Sequence, residues 1–208
     1  MPIATESEAI LIVLSSPSGG GKSTICRALL ESNPDMEYSV SVTSRPPRGD
    51  EVNGQHYQFV SEAEFYQLIE KGAFYEWAKV HDNLYGTRRD IVEDKLARGR
   101  CVAMDLDVIG GLNIKKANDK AVLIFVLPPS LKILEDRLRR RNTDAEEVIQ
   151  KRLYNARNEI NFASKYDYVV VNEDLQQTIS IIRQIVHAER YSSRHQTVKI
   201  TGEDATIG

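Results

Sequence analysis

A glycine-rich turn near the start of the chain limits the possible folds more than any other feature. Residues 15–24 read Ser-Ser-Pro-Ser-Gly-Gly-Gly-Lys-Ser-Thr, after an apolar run at 10–14 and before a helical pattern at 25–30. This order of strand, glycine-rich turn, Lys-Ser and helix is the one that a phosphate-binding P-loop requires. The glycines let backbone N–H groups converge on phosphate oxygens, and the helix N-terminus adds its positive dipole end. The stretch therefore predicts an α/β chain that binds a nucleotide.

Individual positions of the turn have separate predicted roles. Lys22 is expected to reach the terminal phosphates, and the Ser23 hydroxyl to bind a Mg²⁺ ion held largely by the nucleotide. Ser16 stands where the general motif has its first glycine, and a small residue can fit that turn. A flexible loop with a solvated lysine is the alternative. The predicted nucleotide-binding residues here are Ser16, Pro17, Ser18, Gly19, Gly20, Gly21, Lys22, Ser23 and Thr24.

Composition excludes several other classes of protein. The 208 residues are 41% hydrophobic and 27% charged, which is ordinary for a soluble globular protein. A formal net charge of −3 argues against a nonspecific binder of nucleic acid or of membrane surfaces. The N-terminal apolar run is too short for a signal peptide, and no run reaches the length of a membrane span.

Cysteines and histidines narrow the compartment and the metal chemistry. Cys26 and Cys101 fall in a predicted helix and a predicted strand, so we expect small core residues in a reducing compartment. The four histidines lack the spacing of metal ligands, which argues against a structural metal site. The predicted location is the cytoplasm.

Strands and helices alternate along the chain. Apolar strands are predicted at 10–14, 101–104, 121–127 and 168–171, and a strand with alternating side chains is predicted at 37–43. Strands that are apolar throughout favour a parallel sheet covered on both faces, with ligands at its carboxyl edge. Ser61 and Thr143 each precede a glutamate by three residues, which predicts capping boxes, and Thr87 and Ser130 are expected to cap further helices. Residues 191–208 lack helical periodicity and are expected to form a loosely ordered tail.

Residues 37–92 interrupt the strand–helix alternation and are expected to form an inserted substrate-binding region. Arg45 and Arg48 flank a Pro-Pro kink, and with Tyr57 and Tyr85 they could grip a second phosphate group, because guanidinium forks match phosphate oxygens. A solvated basic turn explains the arginines equally well.

Glu76 lies in the apolar segment 74–77. From the residues alone, a solvent-facing strand position is favoured over contact with a ligand.

An arginine-rich helix is predicted after Ser130. Leu131, Leu134 and Leu138 form its buried stripe. At about 100° per residue, Arg141 lies closest to this stripe, Arg137 flanks it and Arg140 points most nearly away. We expect Arg139 and Arg140 to be solvated, and Asn142-Thr143 to provide the bend of a moving lid.

Together these residues resemble the guanylate kinase family, from about residue 9 to residue 190. The segments that carry the resemblance are 16–23, 41–48, 51–57, 75–78, 85–87, 105–107 and 171–175. The resemblance implies a P-loop kinase fold with a parallel central sheet, in one domain over residues 8–190. It also implies a GMP-binding insert at about 37–92 and a helical lid at about 136–160. The implied reaction transfers a phosphoryl group from ATP to GMP, and to dGMP, with Mg²⁺.

The same resemblance implies roles for individual residues. Those implied for the GMP phosphate are Arg45, Arg48, Tyr57 and Tyr85. Those implied around the guanine are Ser41, Glu76, Thr87 and Asp107, with Asp105 near the metal or the phosphate-binding arginines. Those implied in catalysis are Lys22, Arg45, Arg137, Arg141 and Arg152. Asn172 matches a position beside the adenine of ATP, although an ordinary strand-end asparagine is nearly as good an explanation.

Two other functions stay open at this stage. Guanylate-kinase-like domains also occur as non-catalytic interaction modules, which often lose the P-loop lysine, the GMP-gripping residues or the lid arginines; this chain has all three sets. Another P-loop kinase with a different small phosphorylated acceptor is the second alternative. The expected partners are the nucleotides ATP and GMP, with neither nucleic acid nor membrane, and the sequence does not decide between a monomer and a homo-oligomer.

Overall fold

The computed structural model describes residues 3–80, 82–140 and 145–200. The helices are α1 (Lys22–Ser32), α2 (Glu62–Glu70), α3 (Arg89–Ala97), α4 (Val108–Ala117), α5 (Leu131–Arg140), α6 (Glu146–Ile160) and α7 (Leu175–Glu189). The strands are β1 (Ile3–Ser7), β2 (Leu11–Ser15), β3 (Met36–Tyr38), β4 (Val42–Thr43), β5 (Gln58–Phe59), β6 (Phe74–Val80), β7 (Asn83–Arg88), β8 (Cys101–Leu106), β9 (Val122–Leu127), β10 (Tyr168–Val171) and β11 (Gln196–Ile200).

A five-stranded parallel sheet in the order β10-β9-β2-β8-β3 forms the centre of the protein. Its middle strand β2 is fully buried, as the unbroken apolar run predicts. One face packs on α1 and α7 through residues such as Leu29 and Ile182, and the other packs on α3 and α4 through Val92 and Ile114. The predicted α/β fold with a covered parallel sheet is confirmed, and the P-loop lies at its carboxyl edge.

A second sheet, in the order β5-β4-β7-β6, is built from the stretch between β3 and α3. The predicted strand 37–43 is wrong in one respect, because it divides between the two sheets. Tyr38 pairs with Ala103 in the parallel sheet, whereas Val42 pairs with Gly86 in the second sheet. The insert was predicted to begin at residue 37, but in the structure Glu37 and Tyr38 belong to β3 of the central sheet.

Helix caps test the sequence rules directly. Ser61 and Glu64 form the predicted capping box, and the Ser130 hydroxyl accepts from the Ile133 N–H at 3.1 Å. Thr87 as an N-cap is wrong: it lies in β7, its hydroxyl donates to a glutamate, and Arg88 is the N-cap of α3. Helix α6 has Ala145 at its N-cap; the predicted cap, Thr143, lies outside the described residues.

The two ends of the described chain pair with each other. Strands β1 and β11 form an antiparallel ribbon in which Ile3 is opposite Ile200. The predicted loose tail is therefore wrong for residues 196–200, while 201–208 lie outside the described residues. The side chain of His195 fixes the segment that precedes β11. It is 1% exposed, and its Nε2 lies 2.8 Å from the Lys120 carbonyl oxygen.

Over the described ranges, none of the helices has the length and apolar character that crossing a lipid bilayer requires.

Candidate active site

The turn between β2 and α1 has the backbone of a phosphate-binding loop. Gly19 and Gly21 have φ of 90° and 97°, in the left-handed region that favours glycine. The Gly20 N–H donates to the Pro17 carbonyl at 2.8 Å, and a Cβ on Gly20 would lie 2.8 Å from the Ser16 Cβ. Ser16 itself is 3% exposed, and its hydroxyl donates to the Pro17 carbonyl at 3.1 Å. A serine therefore fits at this position.

Two clefts meet at this loop. The first, of about 410 Å³, is lined by Gly19, Gly21, Thr24, Arg137, Arg140, Asn172, Glu173, Asp174 and Leu175. The second, of about 770 Å³, is lined by Lys22, Ser23, Cys26, Arg27, Leu30, Tyr38, Ser41, Glu51, Gln55, His56, Tyr57 and Asp105. The loop can therefore contact one ligand on each side. Arg140 is exposed, as predicted, and it also borders the first cleft.

Asn172 joins the first cleft to the P-loop. Its side chain is buried; the amide nitrogen donates to the Gly20 carbonyl at 3.2 Å, and the amide oxygen accepts from the Thr178 hydroxyl at 3.2 Å. Arg137 on α5 donates to the Asn172 carbonyl at 3.0 Å, which brings one predicted lid arginine to the loop. Arg152 lies half-buried on α6, and Arg141 lies outside the described residues.

A hydroxyl and a carboxylate meet at the start of α1. The Ser23 hydroxyl donates to Asp105 Oδ2 at 2.5 Å, and the Tyr38 hydroxyl donates to Asp105 Oδ1 at 2.6 Å. Burial and the neighbouring Asp105 raise the pKa of Tyr38, which stays a neutral donor. These oxygen atoms fit a Mg²⁺ ion that phosphate oxygens also bind. In the described ranges no group of three or more His, Cys, Asp or Glu side chains could hold a metal.

A buried arginine lies against two tyrosine rings, one of which, Tyr57, lines the second cleft. Arg45 is 6% exposed, its guanidinium lies 5.0 Å from the centre of the Tyr57 ring, and that ring lies 5.9 Å from the Tyr85 ring. The structure thus brings three of the four predicted phosphate-binding residues together. Arg48 is exposed, and its described contacts are made by its backbone: the N–H donates to the Glu51 carboxylate at 2.8 Å, and the carbonyl accepts from the Glu51 N–H at 3.1 Å.

Glu76 belongs to a small polar cluster between β6, β7 and α4. The Thr87 hydroxyl donates to Glu76 Oε1 at 2.7 Å, and Asp107 caps α4 by accepting from the Gly110 N–H at 2.7 Å. A Cβ on Gly110 would lie 3.4 Å from both Glu76 Oε2 and Asp107 Oδ1. Glu76, Thr87 and Asp107 therefore surround one space, as the resemblance implies.

The environment of Glu76 differs from the solvent-facing position that the residues alone favoured. The side chain is half-buried, and its pKa is raised to about 7, chiefly by burial and also by the like charge of Asp107, against the hydrogen bonds from Thr87. Within the described chain, none of the groups that shift this pKa is a cation. A carboxyl in such a position gains from a ligand that donates hydrogen bonds to it.

Three acidic or phenolic side chains that the structure places at the site were not predicted from the sequence. Tyr38 contacts Asp105, Glu51 contacts Arg45, and Glu159 on α6 accepts from the Ser18 N–H of the P-loop at 3.3 Å. Glu159 stands seven residues after Arg152, on the same face of a helix, and this spacing could have indicated it. Glu51 lies in one of the segments that carried the resemblance, so its motif offered a signal.

Comparisons with known proteins identify the family to which the chain is similar. The family model described as guanylate kinase matches residues 8–189. A guanylate kinase of Caldanaerobacter subterraneus subsp. tengcongensis is 45% identical over 188 residues, covering 90% of this chain and 91% of that protein. One from Mesorhizobium japonicum is 51% identical over 182 residues, covering 87% and 84%. The crystal structure of guanylate kinase from Anaplasma phagocytophilum matches with a TM-score of 0.75 at 35% identity, covering 92% and 91% of the two chains.

Proposed function

The chain belongs to the guanylate kinase family of enzymes, and we propose that it transfers the terminal phosphoryl group of ATP to GMP, giving ADP and GDP. We extend the acceptor to dGMP, because the recognition proposed below acts on the guanine and on the phosphate and leaves the ribose out. The proposed partners are these nucleotides, and the proposed location is the cytoplasm, where both are supplied.

The single observation that supports this proposal best is the polar cluster around Glu76. A half-buried carboxyl next to Thr87 and Asp107 is costly unless donors meet it. Guanine carries N1–H and an exocyclic amine on one edge, so one carboxylate can accept from both. Adenine lacks this pair of donors and would leave Glu76 with the bond from Thr87 but without the two from a guanine edge.

The rest of the site suits transfer between two phosphorylated ligands. Phosphoryl transfer depends on alignment and on stabilisation of charge more than on covalent help from the protein. In this proposal Lys22 neutralises charge on the donor phosphates, and Arg45 holds the phosphate of the acceptor. Bound Mg²⁺, for which Ser23 and Asp105 offer oxygen ligands, would supply further positive charge to the donor phosphates. Arg137, with Arg141 and Arg152, would add cations from the lid.

The two alternatives explain less of the site. A non-catalytic interaction module has no need for the P-loop lysine, the arginine and tyrosine cluster and the Glu76 cluster together. A kinase for a different phosphorylated acceptor would use the same arginines, but it gives no reason for a half-buried carboxyl of raised pKa.

Transfer of a labelled phosphoryl group tests the proposal. The purified chain, ATP labelled on its terminal phosphate, GMP and Mg²⁺ are incubated, and the products are separated. We expect the label to appear in GDP, and omission of either GMP or Mg²⁺ to prevent this. Label that appears only in inorganic phosphate, at the same rate with and without GMP, would contradict the proposal.

A further inference from the structure

Glu51, in the loop between β4 and β5, contacts both arginines of the predicted phosphate grip. Its two carboxylate oxygens accept from Arg45 Nη1 and Nη2 at 2.6 and 2.7 Å. Oε2 also accepts from the backbone N–H of Arg48 at 2.8 Å. One carboxylate thus fixes the side chain of the first arginine and the turn that carries the second.

The pairing leaves one edge of the Arg45 guanidinium available. The group has five N–H donors; Glu51 takes one from each terminal nitrogen, and the Pro46 carbonyl takes another from Nη1 at 2.9 Å. The donors that neither Glu51 nor Pro46 uses are Nε–H and the second hydrogen of Nη2, which lie side by side on one edge, and the Tyr85 hydroxyl also interacts with this guanidinium. Two parallel donors of this kind match two oxygens of a phosphate group.

Two aromatic rings pack against that guanidinium. It lies 5.0 Å from the Tyr57 ring centre and 5.6 Å from the Phe59 ring centre. Hydrogen bonding to Glu51, followed by hydrogen bonding to Tyr85, raises the pKa of Arg45. The Tyr85 hydroxyl, which is also a predicted ligand of the phosphate, therefore lies close to the Arg45 guanidinium.

We propose that Glu51 is a positioning residue for the acceptor nucleotide: it holds Arg45 by one edge so that the other edge faces the phosphate of GMP. This inference rests on the proposed function and deepens it. Glu51 would act through Arg45 and through the Arg48 turn, without touching the nucleotide itself.

In the opposite role, the Glu51 carboxylate would occupy the phosphate position until GMP displaces it. Substitution of Glu51 would then strengthen GMP binding instead of weakening it. Burial favours positioning, because Arg45 is 6% exposed and a buried guanidinium without its partner is costly. Displacement would also break the bond from the Arg48 N–H. The pKa of Glu51 is lowered to about 2 by Arg45 and then by the Arg48 N–H, so the carboxylate stays charged at working pH.

Calorimetric binding of GMP and of guanosine tests the role of Glu51. Glu51→Gln keeps the volume but puts an N–H₂ against a guanidinium donor, and we expect GMP affinity to fall about tenfold or more, the effect of losing a charge-assisted hydrogen bond. Guanosine lacks the phosphate, so its affinity should stay within about twofold. KM for GMP should rise more than KM for ATP, and Glu51→Asp should recover part of the loss.

A matched control is Glu146→Gln, which removes another exposed carboxylate that binds an arginine, Arg139, through both oxygens. We expect its GMP affinity to equal that of the wild type. Unchanged or tighter GMP binding by Glu51→Gln, in a chain whose wild type binds GMP, would overturn the inference alone. Equal losses of affinity for GMP, guanosine and ATP would also overturn it, because they would indicate a general loss of folding. A wild type that binds no GMP would overturn the proposed function and the inference with it.

Discussion

Single side chains at the carboxyl edge of the central sheet carry most of the proposed chemistry. Lys22 begins α1 directly after Gly21, with its side chain in the larger cleft, and Asp105 ends a neighbouring strand, where it meets Ser23. Each of these groups faces the space where phosphates would bind.

Replacing Lys22 removes the cation that the P-loop aims at the transferred group. For Lys22→Ala we expect kcat to fall at least about 100-fold, because a preorganised charge is lost where negative charge develops. The unfolding midpoint should change little, since the side chain is not part of the core. Steady-state kinetics with ATP and GMP and a thermal melt check both statements. Near-wild-type kcat would mean that the loop is wrongly assigned.

The raised pKa of Glu76 predicts that GMP binding depends on pH. With a pKa of about 7 in the free protein, the carboxyl is protonated below that pH, and a neutral carboxyl with an O–H donor can no longer accept charge-assisted hydrogen bonds from both guanine donors. Because guanine donors favour the charged form, binding should release a proton, and GMP affinity should rise with pH through about 7, by up to about tenfold per unit below it.

Glu76→Gln is the control, because the phosphate of GMP also titrates near pH 6. The pH profile of this variant should show only the titration of the phosphate, and its preference for GMP over AMP should become smaller. Titration calorimetry at several pH values measures both effects. Parallel profiles of GMP affinity against pH for the wild type and the variant would mean that Glu76 has a structural role only.

At the scale of elements, helix α5 carries arginines with different surroundings. Arg137 donates to the Asn172 carbonyl beside the P-loop, whereas Arg139 pairs with Glu135 and Glu146 on the outside of the lid. We expect Arg137→Ala to lower kcat at least about tenfold with little change in GMP affinity, since its role is to stabilise transferring charge. Arg139→Ala should lower kcat less than twofold, because exposed ion pairs contribute little. Equal losses from the two variants would contradict this assignment.

Two adjacent glycines make α4 a test of packing. A Cβ on Gly111 would lie 2.6 Å from the Tyr166 hydroxyl oxygen and 2.9 Å from the Ser15 Oγ, so Gly111→Ala should lower the free energy of unfolding by about 1–3 kcal/mol. A Cβ on Gly110 meets its nearest atoms at 3.4 Å, and Gly110→Ala should be neutral or stabilising by up to about 1 kcal/mol. Urea denaturation of both variants measures the contrast, and destabilisation of equal size would refute it.

Elements with strong local patterns were predictable from the sequence, and those defined by long-range pairing were not. The apolar strands of the central sheet and the Ser61 capping box follow from local rules. Strand β4 has two residues and pairs with β5 and with β7, both later in the chain, so no local pattern separates it from β3 in the predicted strand 37–43. Helix α4 was missed because its paired glycines lower helix propensity, although Asp107 supplies a side-chain cap.

The whole molecule brings together residues that the sequence could only propose separately. The resemblance named Glu76, Thr87 and Asp107, and the structure shows that they share one space. The contacts of Glu51 with Arg45 and of Glu159 with Ser18 join segments through the tertiary fold, and no spacing rule specifies which carboxylate meets which donor. The pairing of β1 with β11 was missed for the same reason, since their residues lie at opposite ends of the chain.

The central claim is that the acceptor is a guanine nucleotide, and competition among acceptors tests it most directly. The wild-type chain is assayed with ATP and Mg²⁺ against GMP, AMP, UMP and a phosphorylated sugar, and kcat/KM is determined for each. We predict a preference for GMP over every other acceptor of at least about 10⁴-fold, because a site built to pair buried polar groups rejects ligands that leave them unpaired. Comparable kcat/KM for GMP and AMP, or a higher value for the sugar phosphate, would contradict the account.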